Sequence, residues 1–204
     1  FDLEHPGTRE IGKLMLPRTI GLAVSQIDTT IDLILSTLLG SVAVTVFNFA
    51  QHLQQVPIGI FGASIAQATL PSLSSAFAQK SMEDFKKVFF ASFHQILFFI
   101  VPISSILIVL RFPIVRLVFG IKSLLDLSTT LEISKTLAFF SVSLFAQALV
   151  QLITRGFYAL HDSKTPVVLG VISVAINTVL SITFISYYHQ GVWALAASTS
   201  IASI

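Results

Sequence analysis

The sequence predicts an all-α, polytopic bundle of about six membrane-spanning helices, and three observations predict it. Apolar runs near ~20 residues, the length that crosses a ~30 Å hydrocarbon core as helix, recur along the whole chain. Charged residues make up 11% of its 204 residues and hydrophobic ones 54%, where a soluble domain carries about 25% charged; mean hydropathy is +0.87. Inside the apolar runs, polar residues return every three or four positions, the spacing of one helix face. Recurrence along the chain excludes a signal peptide or a single anchor. With no cysteine, disulfides and thiolate metal sites are excluded, and the fold is left to helix packing and lipid.

The first fourteen residues read as a polar lead-in. Spans follow at about Met15–Leu39, Thr45–Leu73, Phe85–Leu110, Leu131–Tyr158 and Pro166–Tyr188, with a sixth, unfinished, from Val192 to Ile204. Between them lie the connectors Gly40-Ser41, Gln79–Asp84, Gly120–Thr130, His161–Lys164 and His189–Gly191, rich in turn formers. Pro166 suits the first turn of its helix. Pro57, with Gly59 and Gly62 just after it, removes a backbone donor inside the second span, so a kink or break is expected there; Pro102 can do the same in the third. The chain opens at Phe1 and stops inside an apolar run with no cap or charge, so it is expected to be a piece of a longer protein.

Alternate connectors lie on the same side of a membrane. Arg9, Lys13, Arg18, Lys80, Lys86, Lys87, Arg155 and Lys164 fall on one side, and Arg111, Arg116, Lys122 and Lys135 on the other. The positive-inside rule therefore places the N-terminal segment in the cytoplasm. Tyr187, Tyr188 and Trp193 gather at the last outward connector, where amphipathic rings favour the interface.

Four spans carry a polar stripe: Ser25, Asp28, Asp32 and Ser36 in the first; Asn48, Gln51, His52 and Gln55 in the second; Ser143, Gln147, Gln151 and Arg155 in the fourth; Ser173, Asn177 and Ser181 in the fifth. In lipid such stripes face other helices or a watery cavity. The serines read as interhelical hydrogen-bond glue. Asp28 and Asp32 have no basic residue on neighbouring turns, so the pair calls for a proton or a nearby cation. Asp32, the Asn177 amide and the Ser181 hydroxyl could supply oxygens to a hard monovalent cation if the first and fifth spans touch; the alternative is a neutral, hydrogen-bonded Asp32. His52, about one turn before Pro57, reads either as a pH-sensitive cavity residue or as a neutral imidazole bonded to a carbonyl. Arg18 and Arg155 sit near the boundary, where snorkelling is the simpler account.

Phosphate-cradling glycine loops, zinc-type His/Glu pairs and nucleophile elbows are not found, and acid/base residues converge on no single face, so the chain does not read as an enzyme. A nucleic-acid-binding face is likewise missing. Cargo is not readable from these patterns.

Particular strings add to this reading. Met15-Leu16-Pro17-Arg18 opens the first span, and Arg155-Gly156-Phe157-Tyr158-Ala159-Leu160-His161-Asp162-Ser163-Lys164-Thr165-Pro166 joins the fourth to the fifth. With Ser25-Gln26-Ile27 and Asp32, Val56–Gly62, Leu70–Ser74 and Ala194–Ser200, they resemble the MurJ (MviN) family of lipid II flippases from about Lys13 onward. The resemblance implies a multidrug/oligosaccharidyl-lipid/polysaccharide exporter fold of two six-helix lobes, of which this sequence covers most of the C-terminal one, its first span matching the family's seventh helix. It implies an inner-membrane transporter of peptidoglycan precursor, with lipid II or another polyprenyl-pyrophosphate-linked glycan as cargo and the N-terminal lobe as partner. A drug exporter of the same superfamily and a non-transporting scaffold for envelope synthesis are the rival readings.

Arg18, Asn48, Gln51, His52, Gln55 and Arg155 are then the candidate substrate-cavity residues. Family members often carry Asp-Arg, with a carboxylate three residues after the Arg, where this chain has Gln51, His52 and Gln55. His52 is positive only when protonated and lacks an arginine's bidentate fork, so cationic residues of the other lobe are expected to carry most pyrophosphate recognition. By the same resemblance, Asp32, Asn177, Ser181 and Ser198 form a candidate sodium site for a coupling ion; no other cofactor is implied. Ser181 stands where the family has an acid, which removes one negative charge and should weaken the site.

Overall fold

The computed structural model describes residues 6–119, 126–186 and 191–204; of the side chains up to residue 25, those of Thr19, Gly21, Ala23 and Val24 are described. All regular structure among these residues is helical. Helix α1 runs Pro6–Leu38, so the segment read as a lead-in is helical from Pro6. Gly40, at φ 110, turns the chain into α2, Ser41–Pro57, which continues through a π-helical turn, Ile58–Ala63, into α3, Ser64–Ala78. Helix α4 is Met82–Val109 and α5 is Arg111–Phe119. Then come α6, Leu127–Val142, α7, Leu144–Ala159, α8, Lys164–Ser186, and α9, Trp193–Ser203.

Among the described residues, three stretches are long and apolar enough to cross a membrane: Ser41–Ala78, Met82–Val109 and Lys164–Ser186; α6 and α7 together make a fourth, bent by 47°. At ~1.5 Å per residue the 33 residues of α1 extend about 50 Å, with Asp28 and Asp32 inside the run. The chain is a multi-pass membrane protein. Its exposed apolar side chains, such as Phe98 on α4 and Val179 on α8, are the surface that lipid or further protein covers.

Pro57 does not break its helix. The chain continues through it into a π turn, whose wider hydrogen-bond ring re-registers the helix, and within that turn the Ser64 hydroxyl donates to the Gly59 carbonyl at 3.0 Å. Helix α4 likewise continues through Pro102. The bend falls instead at Ser143, where the sequence has neither Pro nor Gly. Carbonyls there are met by hydroxyls: Ser200 of α9 donates to Phe139 at 2.7 Å, Ser104 of α4 donates to Ser141, and Ser143 itself donates to Phe140 at 3.2 Å. Hydroxyl insertion into the helical ladder is a known cause of such bends.

Three apolar clusters stack along the bundle. One end packs Phe47, Val115, Ile133, Leu137 and Leu195; the middle packs Ile58, Ala66, Ile96, Leu144 and Ala148; the other end packs Leu73, Ala76, Phe85 and Ala159. Close helix contact depends on small residues: a Cβ at Gly62 would lie 3.0 Å from the Ala148 backbone, and one at Gly156 would lie 3.1 Å from the Phe89 ring.

The string Arg155–Pro166 is largely connector chemistry. Helix α7 ends in a Schellman motif, with Asp162 N donating to Phe157 O at 2.9 Å and His161 N to Tyr158 O at 3.1 Å, His161 taking φ 60. Asp162 then accepts from Lys164 N at 3.0 Å, Thr165 N at 3.1 Å and Thr165 Oγ1 at 2.6 Å. These bonds, led by that of the Thr165 side chain, hold its carboxyl below the usual carboxylate range.

Candidate functional site

Helices α1, α8 and α9 build the polar centre. Helices α1 and α8 run parallel: a Cβ at Gly21 would lie 3.2 Å from Val167, and one at Gly170 would lie 4.0 Å from Val24, which brings Asp28 and Asp32 against Asn177. Helix α9 returns antiparallel to α8, fixed by Ser173 Oγ donating to Ala202 O at 2.9 Å and by a 2.6 Å hydrogen bond between Ser181 and Ser198. The whole stripe of α8 thus faces its neighbours.

At the centre, Asn177 Nδ2 donates to Asp28 Oδ1 at 2.9 Å and to Asp32 Oδ1 and Oδ2 at 3.4 and 3.3 Å. Ser181 Oγ donates to Asn177 Oδ1 at 3.3 Å, and Thr199 Oγ1 donates to Asp32 Oδ2 at 3.4 Å. Asp32 is 2% exposed, Asn177 2%, and Ser181 and Ser198 are fully buried. The structure therefore brings together Asp32, Asn177, Ser181 and Ser198, and adds Asp28 and Thr199. Ser198 spends its hydroxyl on Ser181 and on the Leu195 carbonyl, 2.9 Å away, and so acts as a brace for Ser181.

The donor set has the chemistry for a hard monovalent cation. Carboxylate oxygens of Asp28 and Asp32 and the Thr199 hydroxyl converge within one helical turn, and an amide flip at Asn177 would turn Oδ1 toward them. In the present orientation the amide nitrogen stands there instead. Neutral donors alone, the Asn177 amide on both carboxylates and the Thr199 hydroxyl on Asp32, leave their charge uncompensated.

The α2 stripe is placed differently. Asn48 is half-buried and its amide donates to Val44 O at 2.9 Å; Gln51 is half-buried, and His52 and Gln55 are exposed on the outer face of this bundle. Gln54, three positions after Gln51, is the buried amide of α2, 3% exposed, and its Nε2 has no hydrogen-bond partner. Arg155, half-buried, lies 6.0 Å from the Tyr158 ring. The side chains of Arg18 and Ser25 lie outside the described residues, as do Lys122, Tyr187 and Tyr188. At the opposite end from the His161 turn, Lys135 Nζ sits 4.6 Å over Trp193, whose ring stacks on Phe139 at 4.9 Å.

A bundle of this build, a polar seam closed by three helices beside a proline-bearing long span, has the fold of the MOP superfamily transporters. A MOP superfamily transporter from Pyrococcus furiosus superposes with a TM-score of 0.79 at 16% identity, over 95% of this chain and 41% of that one. The chain belongs to the lipid II flippase MurJ family, whose family model matches residues 1–204. A solved structure described as lipid II flippase MurJ in an inward closed conformation matches with a TM-score of 0.83 at 26% identity, over 100% of this chain and 42% of that one. Among curated relatives, a probable lipid II flippase MurJ of Vibrio cholerae is 29% identical over 200 residues, covering 98% of this chain and 38% of the relative. The lipid II flippase MurJ of Burkholderia cenocepacia is 28% identical over 179 residues, covering 88% and 34%. The chain spans less than two fifths of the length of these relatives.

Proposed function

We propose that this chain supplies most of one lobe of a flippase that carries lipid II across the bacterial cytoplasmic membrane by alternating access, the headgroup passing through a hydrated cavity while the polyprenyl tail stays in lipid. The observation that carries this reading is the match of the lipid II flippase family along all 204 residues. Gln51, His52 and Gln55 sit on the side of α2 left open by this bundle, the side from which a second lobe would close a cavity; Asn48 flanks them, and Arg18 and Arg155 join this set on the family resemblance. Lipid II is the cargo and the rest of the longer protein is the partner lobe. The basic residues counted on alternate connectors set the N-terminal segment in the cytoplasm.

Asp32, Asn177 and Ser181, braced by Ser198, hold the coupling ion, sodium, with Asp28 and Thr199 completing the oxygen set. Asp28 restores the second carboxylate that Ser181 withholds. Cargo is tested by native mass spectrometry of the full-length protein offered lipid II against a polyprenyl-pyrophosphate glycan of different headgroup. Preferential retention of lipid II, reduced by His52→Ala, is the expected result; equal retention of both would remove lipid II as the cargo.

A further inference from the structure

The turn between α3 and α4 carries a feature that transport through the bundle does not use. Helix α3 ends in a second Schellman motif, Ser81 N donating to Ala76 O at 3.1 Å and Lys80 N to Phe77 O at 2.9 Å, which sets Lys80 at φ 57. Against this turn lies a groove of about 510 Å³ lined by Phe77, Ala78, Lys80, Ser81, Met82 and Phe85. That volume falls within the ~300–1,000 Å³ of small-molecule sites. The walls are apolar apart from the turn itself, and Met82 is 50% exposed. Both spans that meet here, Ser41–Ala78 and Met82–Val109, end at this level, so the groove opens where hydrocarbon gives way to headgroups.

The charged side chain that lines it is Lys80, with Lys86 and Lys87 exposed on the following turn of α4. Of the two acids in the turn, Glu83 and Asp84, the second accepts the Ser81 hydroxyl at 2.6 Å. The α7–α8 turn stands beside the groove, with the His161 ring 5.9 Å from that of Phe77, and its acid, Asp162, is engaged in capping α8. An apolar slot with a lysine on its rim matches an acyl chain joined to an anionic phosphodiester.

We infer that the groove at the α3–α4 turn is a docking site for an anionic phospholipid, its acyl chain lying against Phe77, Met82 and Phe85 and its phosphate drawn to Lys80. The assignment is independent of which cargo the flippase moves. The test uses the full-length protein in nanodiscs of phosphatidylglycerol and phosphatidylcholine in a 1:3 ratio, doped with a diazirine acyl-chain analogue of one or the other lipid. After irradiation the labelled residues are mapped by mass spectrometry. The phosphatidylglycerol analogue should label residues 77–85 several-fold more than the phosphatidylcholine analogue, and Lys80→Gly should lower that labelling about fivefold. Glycine suits the left-handed backbone at this position, so the variant should keep or raise its thermal midpoint, which separates lost lipid binding from lost folding. Equal labelling by the two analogues, no labelling of the segment, or unchanged labelling in Lys80→Gly would each overturn the assignment.

Discussion

At the scale of single residues, the seam between α1, α8 and α9 was legible because polar residues inside apolar runs repeat at helical spacing, and because the resemblance named Ser198. Thr199 was not, since nothing in the small-residue run Ala194–Ser200 tells which hydroxyl turns toward α1. Asp28 was legible as one of a pair but not as a second acceptor on Asn177. Gln54 lies three positions after Gln51, so spacing alone did not separate it from Gln55, and its burial shows that it points into the bundle. An unsatisfied buried amide nitrogen costs about 1–3 kcal/mol. Gln54→Met, similar in volume and without that nitrogen, should therefore raise the thermal stability of the full-length protein in detergent; a marked loss of stability would show that the amide has a partner. Asn177→Ala should do the opposite, since it strips two carboxylates of their shared donor, and a drop in thermal midpoint is expected. Gly62→Leu should prevent the π turn from seating on Ala148 and reduce folded yield, because the contact is with backbone that cannot yield.

At the scale of elements, turn chemistry was legible and helix irregularities were not. The polar connectors at Gln79–Asp84 and His161–Lys164 are turns, but their Schellman geometry with Lys80 and His161 at positive φ carries no glycine signal. Relief of a left-handed non-glycine residue contributes about 1 kcal/mol, the basis for expecting Lys80→Gly to be no less stable. Pro57 pointed to a break, yet the helix continues through a π turn, Ile58–Ala63. The Ser143 bend had no local marker, because its supports, Ser104 and Ser200, come from two distant helices. Replacing both with Ala should leave the Phe139 and Ser141 carbonyls short of partners and lower stability by about 1–3 kcal/mol for each group left unsatisfied; an unchanged thermal midpoint would mean that the bend is set by packing alone. The cap on α8 has a pH signature. Because the folded Asp162 carboxyl lies below its unfolded value near ~3.9, its contribution is full above that pH and fades as pH falls through the folded value. Asp162→Asn should flatten that part of the stability profile, read as thermal midpoint against pH.

At the scale of the whole molecule, the fold class followed from lipid as solvent: helices and closed barrels both satisfy backbone polar groups in hydrocarbon, and continuous apolar runs near ~20 residues, without the alternation of barrel strands, select helices. The nearness of the α3–α4 and α7–α8 turns, through Phe77 and His161, agrees with the alternation of connectors used to count basic residues. The proposed cavity could not be read in the same way, since His52 and Gln55 are exposed on the outer face of this bundle and no second wall stands against them among the described residues. Coupling belongs to this scale as well. If Asp28 and Asp32 hold sodium during transport, Asp32→Asn in the full-length protein should abolish the sodium dependence of lipid II export while leaving membrane insertion intact.

The most direct measurement is replacement of function: the full-length protein is expressed in bacteria depleted of their own lipid II flippase, and lipid II exposed on the outer leaflet is quantified. Restored exposure, reduced by His52→Ala at equal protein level, is the predicted result. A well-expressed, correctly inserted protein that restores no exposure would contradict lipid II as its cargo.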